Sequence, residues 1–206
     1  MTGANVKIIR LKNHRLTRVA LMAAVAVLRA GGVVAYPTDT AYGLAADPTS
    51  RKGIAKIYAI KGREKGKPLP LIAGSFAQAT AHVRLSGRIL SLARRHWPGP
   101  LTVVSKLISL KAYELISFTA AVRVPKSFLA RELAIALGRP VTSTSANRSG
   151  RPAPYSGAAV RKEFADRPVR PDLLLDVGPL PLRPVSTIVR LRRGKIEVLR
   201  KGAISL

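Results

Sequence analysis

GGVVAYPTDTAYGLA, residues 31–45, joins the end of a helix to a buried strand and then to a polar turn. Upstream, residues 16–30 read as a helix: Leu16, Val19, Ala20, Ala23 and Val27 recur at helical spacing, and Arg18 and Arg29 bound the apolar run. Gly31 and Gly32 stop that helix, and residues 33–36 read as a buried strand ended by Pro37. The hydroxyl-bearing turn of Thr38 and Thr40 therefore sits at the C-terminal end of a strand. That is where open α/β sheets bind their ligands.

The same alternation continues along the chain. Ser50 is placed to cap a helix carrying Ile54, Ile57 and Ile60, which delivers Lys61 and Arg63 at its exit. Residues 69–73 read as the next strand, Ser86 as the cap of a helix running through Trp97, and residues 101–105 and 121–124 as strands. A helix over residues 128–137 is closed by Gly138, and residues 141–144 are extended. A helix near residues 157–164, a strand over 173–177 and two strands around the turn 192–195 complete the pattern. This order predicts an α/β fold, one twisted mixed sheet flanked by helices, with residues 1–206 as a single domain. No repeat, low-complexity stretch or interdomain linker interrupts it.

Composition narrows the chemistry. With 47% apolar residues the chain can build a sizeable core. The absence of cysteine excludes disulfides, zinc ribbons and a thiolate nucleophile, and His14, His82 and His96 have no paired metal-ligand spacing. Lys and Arg number 36 against 10 Asp and Glu, a net charge of +26, and no acid precedes Asp39. Such a chain attracts polyanions such as RNA, although 5% aromatic content provides no evident stacking platform for single strands. The apolar run VALMAAVAVL, residues 19–28, is too short to span a bilayer, so a soluble, cytoplasmic chain with no membrane partner is expected.

Two further segments carry site chemistry. KGREKGKPL, residues 61–69, offers several cationic donors, and TSTSANRSG, residues 142–150, offers hydroxyls and an amide just beyond an apolar run. Cations and hydroxyls together point to an anionic substrate. Arg123, flanked by Val122 and Val124 on an inner strand, needs an anionic partner: a substrate carboxylate, or a structural salt bridge to Asp39 or another acid.

These residues carry a resemblance. GGVVAYPTDTAYGLAADP, IYAIKGREKGKPLPL, WPGPLTVV, AVRVP, VTSTSANRSGRP, VSTIV and VLRKGAI occur in the order found in the YrdC family of threonylcarbamoyladenylate synthases, and the match runs nearly end to end. The resemblance implies a YrdC-like fold and a nucleotidyltransferase reaction. L-threonine takes up bicarbonate or carbon dioxide on its amine, and the carbamate attacks the α-phosphorus of ATP, expelling pyrophosphate. The threonylcarbamoyl-AMP formed is used by a downstream threonylcarbamoyl transferase to build threonylcarbamoyladenosine in tRNA. Longer family members add a C-terminal domain, and the close after VLRKGAISL resembles the short single-domain form.

By the same resemblance, Lys61 and Arg63 act on the charge developing during adenylyl transfer. Thr38, Thr40, Arg123, Ser143 and Ser186 contact threonine. Arg63, Lys67, Thr119, Ser145, Asn147 and Arg200 contact ATP, whose cofactor is Mg2+, with no protein metal ligand identified. Two departures touch these assignments. Residues 108–118 lack the glycine-rich turn often found before AVRVP, near Thr119, and Glu64 stands where the family usually has proline. Trp97 reads as packing above a Pro-Gly turn, and the rings of Tyr36 and Tyr42 either pack in the core or wall the pocket. The charge balance supplies the alternative, a non-enzymatic double-stranded RNA or tRNA binding protein on the same fold. A carbamoyladenylate-forming enzyme of hydrogenase maturation is disfavoured, because that activity sits in much longer chains with cysteine-rich modules.

Overall fold

In the computed structural model, which describes residues 6–63, 68–108 and 118–206, helices and strands alternate as expected, but the strands form two mixed sheets. The strands are β1 (Lys7–Arg10), β2 (Val34–Pro37), β3 (Tyr42–Ala45), β4 (Leu71–Ile72), β5 (Leu101–Lys106), β6 (Thr119–Arg123), β7 (Val141–Thr142), β8 (Thr144–Ser145), β9 (Leu173–Asp176), β10 (Thr187–Arg192) and β11 (Lys195–Arg200). The helices are α1 (Arg18–Arg29), α2 (Arg51–Lys61), α3 (Phe76–His82), α4 (Gly87–His96), α5 (Phe128–Leu137) and α6 (Gly157–Phe164), with a 3-10 turn over Lys12–His14. One sheet runs β1-β9-β2-β3-β8, the other β11-β10-β5-β6-β4-β7.

The extended stretch after α5 explains why there are two sheets and not one. Val141 and Thr142 pair with β4 in the second sheet, whereas Thr144 and Ser145 pair with β3 in the first. The chain changes sheets across the single residue Ser143, whose amide donates to the Pro70 carbonyl at 2.7 Å. Thr142 stitches the seam from inside: its amide donates to Ala46 O at 3.0 Å, and its hydroxyl accepts from the Ala46 amide at 2.8 Å.

Local signals place most of the helices. The hydroxyls of Thr17, Ser50, Ser75, Ser127 and Ser156 each accept an amide at the start of a helix, while Gly62 (φ 56°) and Gly138 (φ 83°) close α2 and α5 in the left-handed region. Ser86 occupies the N-cap of α4 but makes no side-chain cap bond, contrary to expectation. Ile54, Ile57 and Ile60 of α2 are buried against the first sheet and Phe164, each contributing roughly 1.5–3 kcal/mol. Trp97 is 8% exposed, with Nε1 donating to Leu101 O at 2.7 Å, so it packs as expected.

Helix α1 buries a face that overlaps the one its spacing indicated: Leu16 and Val27 pack against the same core as Ala20, and Val19 does not. Ala20, Ala24, Val25 and Leu28 are buried in a core shared with α5, while Val19 is 80% exposed. A run apolar on nearly every side leaves its inner face to be chosen by its partner. Among the described residues no helix is long and apolar enough to cross a membrane.

Candidate active site at the seam between the sheets

A cavity of about 290 Å³ opens where the two sheets meet, walled by Thr38, Thr40, Ser143 and Ser145 on one side and by Thr102, Arg123, Ser186 and Arg200 on the other. The expected hydroxyl segments thus converge, because the Thr38–Thr40 turn joins β2 to β3 and β3 pairs with β8. Thr38 Oγ1 donates to Ala41 O at 2.6 Å and accepts from the amides of Thr40 and Ala41 at 3.1 and 3.2 Å. Its hydroxyl is spent on the turn. Thr40 Oγ1, 3.1 Å from it, retains capacity for a ligand.

Of the two roles left open for Arg123, the structure shows the salt bridge to Asp39 and also places the residue in the cavity wall. Its side chain forms an ion pair with Asp39, each about 10% exposed, and its Nε donates to Gly99 O at 3.1 Å. Asp39 also accepts from the Lys126 amide at 3.1 Å, so one carboxylate ties the threonine turn to the end of β6. A guanidinium has five donors, and those left over face the cavity. Across the wall Arg200 donates to Ser186 O at 2.8 Å and to Ser186 Oγ at 2.9 Å. Desolvation, and then the charge of Arg123, lower the pKa of Arg200. Two guanidiniums in one cavity wall offer charge-assisted donors to an anion.

Thr102 is a wall residue that sequence reasoning missed. It is 5% exposed and its hydroxyl lies 2.8 Å from Ser186 Oγ. The available signal was a hydroxyl inside the apolar strand of WPGPLTVV.

Of the cationic segment, Lys61 and Arg63 are described at the exit of α2, and neither lines the cavity. Lys61 is 5% exposed and lies behind the wall, donating to Ser145 O at 2.7 Å, Asn147 O at 2.8 Å and Asn147 Oδ1 at 3.2 Å. Burial and then the neighbouring charge of Arg63 push its ammonium down to about 8. Three acceptors match its three protons and favour the charged form. Asn147, buried, also donates to Arg151 O, so it braces the loop and does not line the cavity. Arg63 follows the cap of α2 outside the wall, and Thr119 starts β6, exposed and opposite Lys106, also outside it. Lys67 and Glu64 lie outside the described residues. Among the described residues the wall contains no carboxylate, and no group of three His, Cys, Asp or Glu could hold a metal ion.

Fold and site together define a class: a two-sheet α/β protein with a hydroxyl-rich cavity carrying two arginines at the seam between its sheets. Within it, a family model named Sua5/YciO/YrdC, described as "Telomere recombination", matches residues 26–202, and the chain belongs to that family. It is 36% identical over 194 residues to the threonylcarbamoyl-AMP synthase of Bos taurus, covering 89% of this chain and 68% of that protein. It is 31% identical over 196 residues to the threonylcarbamoyl-AMP synthase of Pyrococcus abyssi, covering 94% of this chain and 57% of that one. The crystal structure of P. abyssi Sua5 complexed with L-threonine superposes with a TM-score of 0.84 at 31% identity, over 95% of this chain and 57% of that chain. The chain therefore spans little more than half to two thirds of the length of these relatives.

Proposed function

We propose that this chain is an L-threonylcarbamoyl-AMP synthase, a nucleotidyltransferase that joins L-threonine, bicarbonate or carbon dioxide, and ATP, releasing pyrophosphate. The observation that carries the reading is the convergence of Thr40, Ser143, Arg123, Ser186 and Arg200 on one cavity. The reading is supported by the names of the relatives and by the threonine complex of one of them.

The chemistry must hold two anions together. The threonine amine adds to the carbon of bicarbonate or carbon dioxide, giving a carbamate and, from bicarbonate, water. A carbamate oxygen then forms a bond to the α-phosphorus as the bond to pyrophosphate breaks. Two unit charges 4 Å apart repel by about 4 kcal/mol at an effective dielectric of 20, so a cationic wall recovers a term of that size. Arg123, held by Asp39 and Gly99, meets the amino-acid carboxylate; Thr40 and Ser143 bond its polar groups; Arg200 and Ser186 face the activated end. Fixing the reactants also replaces a bimolecular encounter with an aligned one. At about 290 Å³ the cavity suits an amino-acid carbamate, and in this reading the triphosphate extends past Ser145. Lys61 serves this site indirectly, by clamping the carbonyls of the 145–147 loop. Among the described residues the wall offers no carboxylate, so a magnesium ion brought with ATP would be held by the phosphates.

The product is a mixed anhydride that an acyl acceptor must consume, and in this reading a downstream threonylcarbamoyl transferase passes it to tRNA. Incubating the purified chain with ATP, magnesium, bicarbonate and threonine, then measuring pyrophosphate and the adenylate mass, tests the reading. Threonine-dependent pyrophosphate is expected, and its absence would overturn the proposal.

A further inference from the structure

We propose that Tyr36 is a positioning residue for this reaction: its buried hydroxyl fixes the Ser143 hydroxyl so that the serine presents a proton to the cavity, and so selects an anionic ligand oxygen. The inference rests on the synthase reading and goes beyond it by giving a role to a residue that does not line the cavity.

The geometry is specific. Tyr36 is fully buried on β2, and its hydroxyl donates to Ser143 Oγ at 2.9 Å. Ser143 is the residue at which the chain changes sheets, and its amide is committed to Pro70 O, so little is left free there beyond the hydroxyl rotor. A serine hydroxyl has one proton and two lone pairs. With Tyr36 donating to one lone pair, and no described protein acceptor taking the serine proton, that proton is available to the cavity.

The opposite orientation is disfavoured by satisfaction of buried groups. A phenol is the stronger acid and the better donor. Were Ser143 to donate to Tyr36, the phenolic proton would be left in the core without an acceptor, the costly case for a buried polar group. Burial also raises the phenol's pKa well above its ordinary value, with Arg123 and Asp39 acting in opposite senses nearby, so the donor stays protonated. The serine therefore favours an oxygen acceptor over an ammonium. Two ligand oxygens share that chemistry, the carboxylate of the amino acid and the oxygens of bicarbonate or the carbamate.

The test compares the parent, Tyr36→Phe, Ser143→Ala and the double variant. Apparent KM is measured for threonine, for bicarbonate in carbon-dioxide-depleted buffer and for ATP, with threonine titrated calorimetrically as a readout without turnover. Tyr36→Phe is expected to raise one of the first two by about tenfold, the size of a lost hydrogen bond to a charged group, and to leave the KM for ATP unchanged. A rise for bicarbonate assigns the carbamate oxygen, and a rise for threonine assigns the carboxylate. In the Ser143→Ala background the same change should add nothing, because both act through one hydroxyl. Unchanged constants in Tyr36→Phe, or effects that multiply in the double variant, overturn the inference. If Tyr36→Phe does not fold, Ser143→Thr must rescue the constants that Ser143→Ala loses, and failure to rescue also overturns it. An inactive parent refutes the synthase reading, and an inactive parent that binds neither substrate refutes this inference with it, whereas an active parent with an indifferent Tyr36→Phe refutes only this one.

Discussion

Lys61 and Arg123 are both buried cations, but they are used differently. Lys61 has every proton matched by an oxygen of the 145–147 loop, so its charge is structural. Its pKa falls from 10.5 to about 8 on folding, so between those values the unfolded chain binds more protons and stability should rise with pH. In urea titrations the parent should gain on Lys61→Met between about pH 8 and 10.5 and show no such gain below about pH 8. A flat difference across that window would mean that the three acceptors offset burial and keep the ammonium charged. Arg123 splits its donors between Gly99 O, Asp39 and the cavity, which requires a planar fork. Arg123→Lys should therefore raise the KM for threonine on the order of tenfold or more while leaving that for ATP within a small factor. Equal loss for both substrates would deny it the carboxylate.

The seam between the sheets depends on two very short strands. β7 and β8 have two residues each, and Thr142 supplies the hydroxyl that the Ala46 amide needs. Thr142→Val keeps the shape and strands that amide, so it should cost about 1–3 kcal/mol in denaturant unfolding. A change below about 0.5 kcal/mol, within the range of neutral surface substitutions, would mean that the seam does not need the bond. Helices α5 and α6 lie where the sequence placed them, α5 closed by Gly138 as expected, because such signals are local. β3 is legible in the sequence only as part of a polar segment and α3 not at all, since each is short and stabilised by neighbours distant in the chain. The break at Ser143 has no local signature, because which strand claims residues 141–142 and which claims 144–145 is settled by β4 and β3. The site follows the same division. Thr40, Ser143 and Arg123 stand out as residue types in unusual company, whereas the Tyr36–Ser143 and Thr102–Ser186 contacts span 107 and 84 positions and become legible only on folding.

Over the whole molecule, the ten acids leave a net charge of +26, and those that are described are largely consumed internally. Among the described residues, Asp39, Asp47, Glu163, Asp172, Asp176 and Glu197 are each paired with Lys or Arg, and Lys and Arg still outnumber the acids 36 to 10. That distribution supports an attraction for RNA separable from synthesis, and the β10–β11 hairpin allows the two to be tested apart. Ile188 and Arg200 meet at its cavity end, while Arg192 pairs with Lys195 beside the exposed turn, four residues along the strand from Ile188. Four residues of strand span about 13 Å, which exceeds the Debye length of roughly 8–10 Å near physiological salt. Charge at the turn is therefore screened from the cavity, though not from a polyanion lying on the surface. The combined variant Arg192→Ala, Arg193→Asn and Lys195→Ala removes that charge, and asparagine tolerates the left-handed backbone at residue 193, where φ is 49°. Across a salt series the parent's RNA retention should fall steeply, and the variant's slope should be shallower by about one unit for each phosphate that the turn no longer neutralises. Threonine-dependent pyrophosphate release should be nearly indifferent to both salt and variant, because it depends on short-range, partly enclosed interactions. Parallel loss of retention and synthesis would place the turn in the catalytic site, and retention that ignores salt would remove the electrostatic basis for RNA attraction.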